Sequence, residues 1–226
     1  MFTTKMTKIG AAIASSFIIV SVANAATPGA YAGIGLGASN INASLKSDNS
    51  DPVFPINMKT TSGGVGGKLF GGYNFNQYFG LEGNFATYAP TKNTQTVLGA
   101  NLGTIKYSMQ AVSLVGKAYF PIQQTFNLYA LGGVSEVYST VKASGNSVDI
   151  TTNNGNDEFI GGGITSTTKT HKLRPVYGVG ASYDVNSHVN AGLEFSHIQG
   201  SGNINNSLKA IPSANMLTLN GAYNFG

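Results

Sequence analysis

Residues Asn215 to Gly226 read NMLTLNGAYNFG, and as a strand they place Leu217, Leu219, Gly221, Tyr223 and Phe225 on one face. Met216, Thr218, Asn220, Ala222 and Asn224 fall on the other. Similar alternation recurs along the chain, and after the N-terminal segment no apolar run reaches the length of a membrane helix, so any insertion into a bilayer must be by strands. Each strand's greasy row has to be covered. The opposite rows are mostly Gly, Ser, Ala and Asn with a few charges, a poor and sparsely charged exterior for a soluble barrel whose apolar set points inward. Lipid is therefore the expected cover. A bilayer forbids open sheet edges, so the first strand, Ala30 to Ser39, is expected to pair with the last.

The N-terminus, MFTTKMTKIGAAIASSFIIVSVANA, has Lys5 and Lys8 ahead of an apolar run from Ile9 to Val22, then Ala23-Asn24-Ala25. This is the pattern of a secretory leader, residues 1–25, cut after Ala25. About 14 apolar residues are too few for an anchor that needs roughly 20. Residues 26–226 are expected to form one barrel domain. Charged residues are only 10% and cysteine is absent, so an exported chain must be stabilised by something other than disulfides, and barrel closure is one way. The net +4 includes the two leader lysines and is scattered, which gives no footprint for nucleic acid.

Three hairpins stand out. The first turns at Asn76-Gln77, with Val65, Leu69, Tyr73 and Phe75, then Phe79, Leu81, Phe85 and Thr87, opposite Lys68 and Glu82. The second turns at Pro121 to Gln124, its first arm setting Val112, Leu114, Ala118 and Phe120 against Ser113, Val115 and Lys117. Its second arm, from Phe126, is apolar on both faces, and its register stays open. The third turns at Asn186 to His188 and keeps Tyr177, Val179, Ala181, Tyr183 and Val185, then Val189, Ala191, Leu193 and Phe195, on one side, with Asp184 and Glu194 on the other. Polar stretches at 40–62, 89–104, 141–170 and 199–213 separate these elements. The fold class is therefore all-β: an eight-stranded antiparallel up-and-down transmembrane β-barrel with long extracellular loops, short periplasmic turns and both termini in the periplasm. Ten strands remain possible if loop 141–170 adds its own membrane hairpin. Aromatics at strand ends suit an interfacial girdle.

The stretches LFGGYNFNQYFGLEGNFATY, VSLVGKAYFPI, NLYALGGV, AGLEFSH and GAYNFG, in that order and spacing, resemble the eight-stranded outer-membrane barrels of the outer membrane protein A transmembrane domain and the related opacity-type surface antigens. The resemblance implies an outer-membrane location and a salt-bridged plug inside the barrel. At the matching positions stand Glu82, Lys117 and Glu194, with Lys68 and Asp184 as extra partners. The family commonly has Arg before its last aromatic; Asn224 stands there in this chain, which puts any Arg-dependent gating in doubt. The resemblance also makes Leu219, Gly221, Tyr223 and Phe225 the signal read by the barrel-assembly machinery, although Phe225 is penultimate.

An isolated charge facing lipid costs several kcal/mol, which also favours an inward placement of these residues. Eight strands leave an interior just filled by side chains, so a sugar-sized pore is not expected. Three roles compete. One is structural or surface-interacting, meeting host or environmental ligands through loops 40–62 and 141–170, with outer-membrane lipids and lipopolysaccharide around the barrel. The second is a small or gated ion channel past Glu82, Lys117 and Glu194. The third is a lipid-modifying enzyme, for which His171, His188 and His197 offer no activated nucleophile, since Ser196 and His197 point to opposite faces. No cofactor or metal is expected: Gly33-x-Gly35-x-Gly37 leads into no helix, and Asn153 to Glu158 lack the spacing of a calcium loop. A monomer is expected.

Overall fold

The computed structural model describes residues 27–43, 56–97, 100–145, 148–151, 157–160, 165–202 and 210–226. The proposed leader lies outside the described residues, as do parts of loops 40–62, 141–170 and 199–213. The strands are β1 (Gly29–Ile41), β2 (Ile56–Thr61), β3 (Gly64–Asn74), β4 (Phe79–Val97), β5 (Ala100–Pro121), β6 (Phe126–Gly145), β7 (Val148–Thr151), β8 (Asp157–Ile160), β9 (Thr165–Asp184), β10 (Val189–Ile198) and β11 (Ala214–Asn224). Eight of them close a ring in the order β1-β3-β4-β5-β6-β9-β10-β11, with β11 back on β1 and every joint antiparallel. The first and last strands thus satisfy each other's ladder groups, as a membrane requires.

The register fixes the geometry of the ring. Following directly opposed residues from Tyr31 leads through Gly72, Glu82, Val115, Gly133, Val176, Ile198 and Ala214 to Ile41. The circuit returns to β1 ten residues further along, which for eight strands means a tilt of about 40° and a narrow lumen.

Period two then decides which residues are wet, greasy or packed. Leu69, Leu114, Val179, Leu193 and Leu219 face out, and Tyr73, Phe75, Phe79, Phe120, Tyr183, Tyr223 and Phe225 gather on the outside near the short turns. Tyr223 and Phe225 meet edge to face at 5.2 Å. The strand from Phe126 resolves with Asn127, Tyr129, Leu131, Ser135 and Val137 inward and Leu128, Val134 and Tyr138 outward.

The walls are taller than the sequence suggests. Of residues 89–104, expected as a polar loop, 89–97 prolong β4 and 100–104 prolong β5, with register shifts between Tyr88 and Thr91 and between Gln95 and Thr96. Residues 40–62 include β2, which adds to β4 outside the ring, and residues 141–170 include the ends of β6 and β9. Above a bilayer a polar outer row is soluble, so Thr, Ser and Lys continue the ladder where apolar residues would otherwise end it. The apolar patches of loop 141–170 form a separate two-stranded sheet, β7–β8, so the ring has eight strands and not ten. One half of the barrel is high, with β4, β5, β6 and β9 at 19, 22, 20 and 20 residues; the other half, β1, β3, β10 and β11, has 13, 11, 10 and 11.

Glycines on the inner face of β1 are required by close approach. A Cβ at Gly37 would lie 2.8 Å from the Thr218 Cα and nearer still to the Leu217 carbonyl, whereas outward-facing Gly221 has nothing within 4 Å. We expect Gly37→Val to lower the unfolding free energy in lipid by at least about 1–3 kcal/mol and to deplete the heat-modifiable folded band on electrophoresis, while Gly221→Ala leaves both unchanged.

Candidate functional site

The lumen has three levels. At mid-height, Lys68 from β3, Glu82 from β4, Lys117 from β5 and Glu194 from β10 form a closed ring of alternating charge. Lys68 Nζ lies 2.6 Å from Glu194 Oε1 and 3.7 Å from Glu82 Oε1. Lys117 Nζ bonds directly to Glu82 Oε2 and lies 3.7 Å from Glu194 Oε2. All four are buried, Glu82 completely. Tyr31 donates its hydroxyl to Glu82 at 3.1 Å and Tyr129 donates to Glu194 at 2.9 Å. Lys68 lies 4.8 Å from the centre of the Phe70 ring, and Lys117 is 4.8 Å from that of Tyr129. Two lysines against two glutamates leave no net charge, the condition under which ions can be held away from water.

Each member of the ring has a glycine directly opposite it on a neighbouring strand: Gly35 for Lys68, Gly72 for Glu82, Gly80 for Lys117 and Gly180 for Glu194. The space is used. A Cβ on Gly35 would press on the Lys68 stem at 3.1 Å, and one on Gly72 would meet the Tyr31 ring at 2.6 Å. Inward glycines therefore let long side chains lie flat across a lumen too narrow for them otherwise.

Toward the short turns lies a small polar chamber of about 40 Å³, bordered by Asn74, Asp184, Asn190, Asn220 and Asn224 with Lys117 at its inner limit. The side-chain oxygens of Asn74 and Asn220 have no protein partner, and the volume suits a few waters. Asp184 and Asn224, expected among the charges, sit at this level instead. Asp184 accepts hydrogen bonds from Asn190 at 2.6 Å and Asn127 at 3.5 Å, and among the described contacts neither residue joins the ion pairs. Lys68, expected only as an extra partner, is a full member of the ring.

Toward the long loops the lumen is apolar, contrary to the expected polar interior. Ile41, Tyr88, Tyr107, Met109, Ala111, Val137, Val141, Ile198, Ile211 and Met216 pack into one cluster. The chain segments of the low half are fastened to the high wall: Thr91 Oγ1 donates to the Ile41 carbonyl at 2.9 Å, Asn93 Nδ2 to that of Ala43 at 2.8 Å, and Tyr107 Oη to that of Ala210 at 3.4 Å. Arg174 donates to the carbonyls of Gln199 and Gly200. The segment before β11, read in the sequence as a polar loop, thus contributes Ile211 to a stopper. Part of the stopper is legible in the sequence, because Tyr107, Met109 and Ala111 keep the inward phase of Ser113 and Lys117.

The histidines do not gather. His197 Nδ1 is 2.6 Å from Asn215 Oδ1, His171 packs by Tyr138, and His188 Nδ1 lies 2.9 Å from Ser187 Oγ on an exposed turn. Among the described residues no group of three potential metal ligands occurs, and Asn153, Asn154 and Asn156 lie outside them.

Comparison with known proteins gives a family match and a fold likeness. The family model described as outer membrane protein beta-barrel domain matches residues 10–225. An uncharacterized protein of Coxiella burnetii (strain RSA 493 / Nine Mile phase I) is 30% identical over 183 residues, covering 73% of this chain and 69% of that protein. Among solved structures, Ail, the attachment invasion locus protein of Yersinia pestis, is 17% identical, with 88% of this chain and 100% of that one covered and a TM-score of 0.45. OprG of Pseudomonas aeruginosa gives 14%, 89%, 99% and 0.47, and Neisserial surface protein A gives 15%, 87%, 97% and 0.49.

Removing one member of the ring leaves a buried charge unpaired. We expect Lys117→Ala to destabilise the refolded barrel by about 3–5 kcal/mol in urea titrations. Lys117→Met combined with Glu82→Gln recovers most of that loss, and the cycle of single and double variants measures the coupling.

Proposed function

The chain belongs to the outer membrane protein beta-barrel domain family, and from that premise we propose that it is a non-conducting barrel of the outer membrane with a structural and surface-interaction role. The observation that carries the reading is the apolar stopper above the ionic ring. An ion entering from the short-turn side finds a hydratable chamber, then four paired charges that block the lumen, then a packed, largely apolar cluster. Hydrophobic constrictions bar ions by excluding water even where they are not sterically sealed. What the molecule offers its surroundings is its outside: a high wall of strands and the loops 40–62 and 141–170, where binding to host or environmental ligands is carried on a rigid scaffold. Among the described residues the histidines stand apart from one another, which favours a non-catalytic role.

Residues 1–25 serve in this reading as the cleaved leader. Leu219, Gly221, Tyr223 and Phe225, outward on β11, present the row taken up by the barrel-assembly machinery. The barrel acts as a monomer, because its one sheet leaves no ring edge unpaired.

Planar-bilayer recordings test the reading. The refolded protein is expected to give no reproducible conductance steps, and Lys117→Ala to remain silent because the stopper is intact. A Tyr107→Ala, Ile211→Ala double variant is expected to raise leakage. Regular steps from the unmodified protein that change with Lys117→Ala would instead support a gated pathway.

A further inference from the structure

The outer face of the high wall carries a row of lysines with no ion-pair partner among the described residues. Lys92 on β4 is directly opposite Lys106 on β5, and Lys106 is directly opposite Lys142 on β6. Three ammonium groups thus start from Cα positions about 5 Å apart on adjacent strands. Lys59 on β2, which faces Thr94, and Lys169 on β9, which faces Thr140, extend the row by one diagonal step on each side. All five are exposed. No ion pair is found for any of them among the described residues, whose four salt bridges all lie in the lumen. Glu136 is the one acid that β4, β5, β6 or β9 turns outward, and it stands opposite Val112 and Leu173, well down the wall.

Like charges directly opposed across a ladder weaken it, and a counter-charge supplied from outside relieves that repulsion. Its position says which one. The lysines lie four to seven residues beyond the last large outward apolar residues of their strands, Phe85, Val112, Tyr138 and Leu173. At about 3.3 Å per residue and a tilt of about 40°, that is roughly 10–18 Å above the hydrocarbon. They also point sideways from the barrel wall rather than up from a loop tip, so what they face is the layer of lipid headgroups beside the barrel. Flexible lysine stems reach down or along that layer.

We propose that Lys92, Lys106 and Lys142, flanked by Lys59 and Lys169, form a lateral binding site for the phosphate groups on the headgroup sugars of outer-leaflet lipopolysaccharide. Threonines on the same face, Thr94, Thr104, Thr140 and Thr167, supply neutral hydrogen-bonding groups between the cations. The site serves to pin a phosphorylated glycolipid to one side of the barrel; the inference rests on the outer-membrane location and is independent of whether the lumen conducts.

The test uses the full mature protein refolded into phosphatidylcholine vesicles and titrated with purified lipopolysaccharide. Each lysine near an anionic surface contributes about 1 kcal/mol, so the Lys92→Gln, Lys106→Gln, Lys142→Gln variant is expected to bind about 100-fold more weakly, with a smaller dependence on salt. Its heat-modifiable band should persist, since the wall stands in water. Enzymatically dephosphorylated lipopolysaccharide should bind the unmodified protein with a similar loss, a comparison that does not depend on the variant folding. Equal affinity of intact and dephosphorylated lipid would overturn the proposal. So would unchanged lipopolysaccharide affinity in a folded triple variant, or loss by that variant only of a soluble sulfated polysaccharide, which would assign the lysines to an external glycan.

Discussion

Everything in this barrel follows from one constraint: in hydrocarbon, no backbone donor or acceptor of a strand can go unpaired. Closing β11 onto β1 meets that demand for the ring, and the ten-residue stagger at which it closes fixes strand tilt and lumen width together. Inside a tube this narrow, two opposed side chains cannot both be large. The inward glycines of β1 and the glycine opposite each buried charge are the sequence's answer to that crowding, and they account for part of the 30 glycines in the chain.

Burying four charges is costly, and a salt bridge in such a place is seldom worth more than an apolar pair of the same size. The arrangement here reduces the cost by making each carboxylate accept from a tyrosine and one lysine with a second lysine 3.7 Å away, and by setting ammonium groups against aromatic faces. Its gain is specificity of position. Glu194 reaches from β10 to lysines on β3 and β5, so strands on opposite sides of the tube are tied through its centre. The apolar stopper above then keeps water from competing for those bonds. The two levels work together: one braces the tube and the other dries it.

The eight strands could be read from the sequence because a membrane sharpens period two: Leu69, Val112, Val179 and Leu219 must be greasy and their neighbours must not. That signal fades where the wall rises into water. Thr91 to Val97 and Ala100 to Thr104 look like a loop by composition, and a shift in register after Tyr88 breaks the phase that could have carried the strand onward. The strand from Phe126 was ambiguous because Tyr129, Leu131 and Val137 are apolar on the inside, where a polar lumen was expected. Glu82, Lys117 and Glu194 were legible as inward charges, but the membership of Lys68 and the separate placement of Asp184 depend on heights along tilted strands, which spacing within one strand does not reveal. Ile211 lay in a stretch with no period at all.

The unequal height of the wall has a mechanical consequence. Both chain ends belong to the low half, where β1, β3, β10 and β11 are little longer than the bilayer demands, while the high half is braced above the membrane by long ladders between β4, β5, β6 and β9. A tube built this way has a hinge side and a spine. Thinning of the bilayer, or a pull on either terminus, falls on the low half, whose joints hold 8 to 11 rungs against 17 to 19 in the high half, and the spine stays whole while the low half yields. The joints with the fewest rungs, β3–β4 and β9–β10, are those at which the low half meets the spine, so the joint that completes the barrel is not the one that holds it least.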